Sequence, residues 1–131
     1  MTTVTHFNPG EFDRGGKYAV NLIPNRESGV EGLTILLARG CRAGATLVAM
    51  AGVHGDEFEG VRAILDTYRS LDPNEMNGDF IAVPVANPPA FWSGTRASPL
   101  DGLNLARVFP GDTDRGPTPA LAHALAHSVI C

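Results

Sequence analysis

"TLVAMAGVHGDEFEG", residues 46–60, changes character half-way along. From Thr46 to Val53 the apolar residues follow one another without alternation, the pattern of a strand covered on both faces in a parallel sheet. From about Glu57 to Leu71 they return as Phe58, Val61, Ile64, Leu65, Tyr68 and Leu71, at the three- and four-residue steps of an amphipathic helix that "DPNEMNG" then stops. The stretch therefore reads as a central strand running into a helix. "DFIAVPVAN", residues 79–87, supplies the next strand, and its Pro84 points to an edge position or a bulge. A strand–helix–strand order calls for a right-handed crossover and a parallel strand pair.

Working outward, "KYAVNLIP" (17–24) and "GLTILLARG" (32–40) are β-prone runs separated by the polar "NRESGVE", which predicts an antiparallel hairpin or two neighbouring strands. Residues 1–15 show no sustained period and read as a flexible arm or loop. Downstream, residues 88–117 are dense in Pro, Gly, Ser and Asp yet carry Phe91, Trp92, Leu103, Leu105, Val108 and Phe109, so an ordered functional loop is expected there. "TPALAHALAHSVIC", residues 118–131, is helical by propensity, with Thr118 placed as cap and Pro119 at the first helical position. Length confines these elements to a single domain: 131 residues bury one good core, not two.

Composition excludes several functions. A formal charge of -4 and no cluster of Lys and Arg argue against a nucleic-acid partner. No apolar run reaches membrane-spanning length and "MTTVTHFNPG" lacks the layout of a signal peptide, so the expected setting is cytoplasmic, with no membrane partner. Cys41 and Cys131 lack paired spacing and read as reduced, incidental thiols. The expected ligand is small.

In open α/β sheets ligands gather at the carboxyl ends of parallel strands, where the reading puts His54. Gly52 and Gly55 permit an unusual turn, and His54 and Glu57, three apart, can point the same way. An imidazole and a carboxylate suit Zn²⁺, although a catalytic zinc site normally takes three protein ligands and leaves one position for water. A second reading stands beside it: His54 hydrogen-bonds within a turn while Asp56, Glu57 and Glu59 complement the positive end of a helix dipole. The loop that follows brings Arg96 and Arg107 to the same sheet end, with Asp101 and Asn104 between them. A guanidinium grips a substrate carboxylate or neutralises an oxyanion. It also makes ordinary surface ion pairs, here with Asp101, Asp112 or Asp114. His123 and His127 lie four apart on one helical face, a possible metal pair, although spacing alone is weak evidence and an Ala-rich helix with outward or half-buried histidines explains them as well; His6 is a weaker candidate.

Taken in order, "GVHGDEFEG", "PVANPPAF", "GTRASPLDG" and "LNLARVFPG" resemble the succinylglutamate desuccinylase/aspartoacylase family, relatives of the carboxypeptidase A-like zinc peptidases, and within it the branch of N-acyl diamino-acid deacylases of ectoine breakdown. The resemblance covers about residues 12–131. It implies an α/β fold, an incomplete carboxypeptidase-like mixed sheet with an N-terminal strand pair, a parallel strand–helix–strand unit and a C-terminal helix. It implies a Zn²⁺-dependent hydrolase that removes an acyl group from an amino-acid nitrogen, the metal polarising the carbonyl and activating water. By position, His54 and Glu57 resemble the first two zinc ligands, Arg96 the oxyanion-stabilising arginine and Arg107 the substrate-carboxylate clamp, with Asn104 and Asp101 joining the substrate-binding set.

Two departures accompany the resemblance. Family members usually read "NLNR" where this chain reads Asn104-Leu105-Ala106-Arg107, so Ala106 replaces the amide that partners the clamp. The family's third zinc ligand lies in a "DLHSGG"-like segment, and its catalytic glutamate further on still; neither has a counterpart here. The expectation is therefore the front portion of a longer zinc hydrolase, acting on small N-acyl amino acids. The alternative is a non-catalytic small-acid-binding or assembly module whose open sheet edge pairs with a second copy.

Overall fold

The structure, a computed structural model, describes residues 1–130. Five strands form one mixed sheet: β1 (Thr2–Val4), β2 (Gly16–Leu22), β3 (Leu33–Arg39), β4 (Arg42–Met50) and β5 (Asn77–Val83), in the order β1-β2-β3-β5-β4. The anticipated hairpin is present, β2 pairing antiparallel with β3 from Gly16 opposite Arg39 to Leu22 opposite Leu33. β4 and β5 are parallel and joined through α1 (Glu59–Ser70), the strand–helix–strand unit the periodicity called for. Two more helices follow, α2 (Pro88–Ser93) and α3 (Pro117–Leu125), the latter continued by a π-helical turn over Ala126–Ile130.

The sheet is covered on two faces. On one, Leu121, Leu125 and Val129 of the C-terminal helical segment pack with Val20, Leu22, Leu33, Ile35, Leu37 and Leu105. On the other, Ile64 of α1 meets Leu36, Ala38, Phe80 and Ala82, with Leu65, Tyr68 and Leu71 partly buried beside them. The result is an open α/β architecture, matching the expected class.

Four expectations need correction. β4 was read as a central strand, but among the described residues it pairs only with β5 and forms an edge, with Leu47 64% exposed. An unbroken apolar run reports that both faces of a strand seek cover; it does not report which strands flank it. β5 was expected at an edge or bulge because of Pro84, yet it lies between β3 and β4. Pro84 falls one residue past its end, so the missing N–H removes no ladder bond. Residues 1–15, read as arm or loop, include β1, parallel to β2, and Phe7, which is buried in the core. Thr118, read as the cap of α3, is its second residue; the cap position is Gly116. The reading of Cys131 as an incidental thiol falls outside the described residues.

Candidate active site at the β4–α1 junction

The mouth of the β4–β5 pair is built from main chain. Gly52 adopts φ +62°, a left-handed turn that suits glycine, and lets the chain leave β4 while the Gly52 carbonyl accepts from Asn87 N at 3.0 Å and that of Ala51 from Ala86 N at 2.8 Å. These bonds tie the exit of β4 to the exit of β5. Asn87 then caps α2, its Oδ1 accepting from Ala90 N, with Pro88 at the first turn and Gly94 in the left-handed region at the end. Gly55 lies so close to α2 that a Cβ there would stand 2.1 Å from the carbonyl carbon and oxygen of Ala90. Gly55 N also donates to Thr95 O at 2.9 Å. The residues on either side of that bond, His54 and Arg96, are thereby held to one small region.

His54 is the centre of the cluster, its side chain 14% exposed. Nδ1 lies 3.2 Å from Glu57 Oε1, and Nε2 lies 3.2 Å from Asn104 Oδ1. Asn104 Oδ1 also accepts from Ala106 N at 3.0 Å, capping the 3₁₀ turn Leu105–Arg107, which fixes the oxygen and not the amide nitrogen toward the ring. Nε2 must therefore carry the hydrogen. In a neutral imidazole Nδ1 then presents a lone pair to a carboxylate oxygen, two acceptors facing each other. A cation between them resolves the opposition, either a proton on Nδ1 or a metal ion bound by both atoms. Two ligands each about 2.1 Å from a tetrahedral zinc stand about 3.4 Å apart, so the observed spacing suits that arrangement too. A metal-bound histidine commonly donates its other N–H to an acceptor that orients the ring, the position Asn104 holds. Among the described residues no group of three His, Cys, Asp or Glu side chains is assembled to hold a metal.

Arg96 Nη1 reaches the same Glu57 oxygen at 3.5 Å, with both side chains about 60% exposed. At that exposure the pair is worth at most ~1 kcal/mol and holds the guanidinium loosely. Four of the six residues singled out by sequence, His54, Glu57, Arg96 and Asn104, are thus in one contact network. The other two are not. Arg107 ends the Leu105–Arg107 turn, exposed and without an ion pair among the described residues. The carboxylate of Asp101 accepts from Thr118 N at 2.9 Å and Thr118 Oγ1 at 2.7 Å, and from Leu103 N at 3.1 Å. Asp101 therefore does from outside what Thr118 was expected to do from within: it satisfies the first free amide of α3. Asp112, weighed as an arginine partner, pairs with Arg115 at 3.4 Å.

Residues 43–129 match the family model of the succinylglutamate desuccinylase/aspartoacylase catalytic domain, well over half of the chain. The chain belongs to this family. It is 43% identical over 79 residues to the N-alpha-acetyl-L-2,4-diaminobutyric acid deacetylase of Halomonas elongata, covering 60% of this chain and 23% of that protein. A succinylglutamate desuccinylase/aspartoacylase from Rhodobacter sphaeroides has the same fold, with a TM-score of 0.80 and 38% identity over 91% of this chain and 38% of that one. The product-bound ectoine utilization protein EutE (DoeB) from Ruegeria pomeroyi gives a TM-score of 0.77 and 31% identity, covering 90% of this chain and 37% of that one. The chain spans under two fifths of the length of each of these three relatives. The mixed sheet with its parallel β4–α1–β5 unit is thus the fold of the desuccinylase/aspartoacylase neighbours, as the sequence motifs implied.

Proposed function

We propose that this chain carries part of the catalytic centre of a zinc-dependent hydrolase that cleaves the amide bond of N-acylated amino acids. The observation that carries the reading is the opposition of His54 Nδ1 and Glu57 Oε1 at 3.2 Å, with Asn104 holding the far side of the ring. When bound there, Zn²⁺ would supply Lewis-acid polarisation of the acyl carbonyl and a water of lowered pKa. His54 and Glu57 would hold the ion, and a third protein ligand would come from outside the described residues. Asn104 acts as a positioning residue that fixes the His54 tautomer. Arg96, held only loosely by Glu57, would face the carbonyl oxygen as negative charge develops on it. Arg107, exposed and unpaired among the described residues, offers a planar fork to the substrate carboxylate. Ala106, beside it, leaves that fork without a neighbouring amide and so shifts the preference among amino-acid substrates.

The test is a calorimetric titration of the 131-residue chain with Zn²⁺, alongside hydrolysis assays with N-acetyl and N-succinyl amino acids. The expected outcome is that His54→Asn and Glu57→Gln each lower the zinc stoichiometry of the chain by one weak site, with no turnover by the chain alone. Zinc binding indifferent to both substitutions would refute the metal assignment. Zinc-dependent, Glu57-sensitive turnover by the isolated chain would refute the need for a third ligand from outside it.

A further inference from the structure

The C-terminal helical segment has an unusual distribution of exposure. Thr118–Ala122, Ala124, Leu125 and Ala126 are buried; between Thr118 and His127 only His123 and His127 are not. The two side chains that this stretch turns outward are both imidazoles, on one face, with ring centroids 4.3 Å apart and planes inclined by 43°. They line an open cavity of about 500 Å³, and His6, from the segment after β1, lines the same cavity together with Thr5, Thr113 and Ser128. His6 and His127 also border an adjoining cavity of about 420 Å³, so both rings have room to reorient. This cluster is on the α3 side of the sheet and shares no residue with the His54 network.

From this geometry we infer that His123 and His127 form a chelating pair for a divalent transition-metal ion. Two imidazoles four residues apart on a helix converge on one face. Rings this close cannot both be protonated without repulsion, whereas two neutral rings can share one cation through their lone pairs. Imidazole donors without thiolate or carboxylate suit nickel, copper and zinc, and exclude calcium and magnesium, which take oxygen. Among the described residues no third His, Cys, Asp or Glu side chain is assembled beside the pair, so the pair provides two bonds and water the rest. The neighbouring Thr5, Thr113 and Ser128 hydroxyls can accept from water molecules completing the coordination.

The inference is independent of the proposed zinc centre and is tested with that centre removed. In a His54→Asn, Glu57→Gln background, Ni²⁺ is titrated calorimetrically, with circular dichroism confirming that each variant stays folded. One ion per chain is expected to bind. His123→Asn or His127→Asn should each weaken that binding about a hundredfold through loss of a coordinating side chain, while His6→Asn, which removes no ligand, should change it by less than about twofold. Failure of the background variant to bind Ni²⁺, or binding that is unchanged when both His123 and His127 are replaced, would overturn the inference. A saturable site that survives those changes but is lost on removing Cys41 would assign the metal to the thiol instead. Because His54 and Glu57 are absent throughout, neither result depends on the deacylase reading.

Discussion

The two faces of the sheet are unequal. Under α3 the core is deep: Leu22, Leu33, Leu37, Leu121 and Leu125 are essentially without solvent contact. Under α1 it is shallow: Ile64 is the one buried residue of a twelve-residue helix, and Val61, Leu65 and Tyr68 remain half-buried. β4, beneath α1, shows the same thinness, its first six residues being exposed. The His54 network stands at the exit of β4, on the border between these regimes. The deep face fixes the fold, while at the border Glu57 and Arg96 stay open to ligand and solvent around a largely covered His54. Binding and catalytic groups are commonly carried in this way, on loops anchored to a rigid scaffold.

The contrast can be broken most directly by removing one leucine from each side. Leu121→Ala should destabilise the chain by about 2–5 kcal/mol, through lost transfer energy and the cavity left behind, whereas Leu65→Ala on α1 should cost about 1 kcal/mol. Urea unfolding of the two variants measures the difference, and equal losses would mean that α1 is as essential to the core as α3. A smaller effect is expected at the border itself. Gly55→Ala places a methyl group 2.1 Å from the Ala90 carbonyl, so α2 must shift. The expected cost is about 1–3 kcal/mol, accompanied by displacement of the His54 ring resonances in an NMR spectrum. Unchanged His54 signals would show that α2 yields without moving the site. The smallest effect belongs to Tyr68, on the shallow side, whose hydroxyl donates to Tyr18 O at 3.1 Å. Burial raises its pKa above the usual 10.0. The neutral phenol is thus favoured in the folded chain, so the Tyr68 contribution is complete below about pH 10 and is lost as pH rises through the folded value. Tyr68→Phe should flatten the alkaline limb of the stability–pH curve, as followed by thermal melts between neutral and strongly basic pH; an unaltered limb would dissociate Tyr68 from it.

Periodicity and turn chemistry carried much of this structure. The β2–β3 hairpin, the β4–α1–β5 unit and the position of His54 at a strand exit follow from local patterns that the sheet then obeys. Position within the sheet was not legible, because the strand order depends on long-range pairing, and β4 and β5 exchanged their anticipated edge and interior places. α2 was readable in principle: Asn87-Pro88-Pro89 and Gly94 are start and stop signals, hidden inside a segment whose proline and glycine content suggested only loop. At the site, residue identity pointed to His54, Glu57 and Arg96. The bond from His54 to Asn104, fifty residues away, and the pairing of Asp101 with Thr118 needed the three-dimensional path of the loop. For Asp101 a cue existed, since Gly116 and Pro117 at the start of α3 leave its first amides without a local side-chain cap.

The short link from Gly55 N to Thr95 O has a practical outcome for protein engineering. Because that contact is made by peptide groups alone, the separation between positions 54 and 96 does not depend on which side chains occupy them. Other pairs of reactive groups could be installed at these two places and would inherit a ready-made spacing, so the junction can serve as a mount for new chemistry.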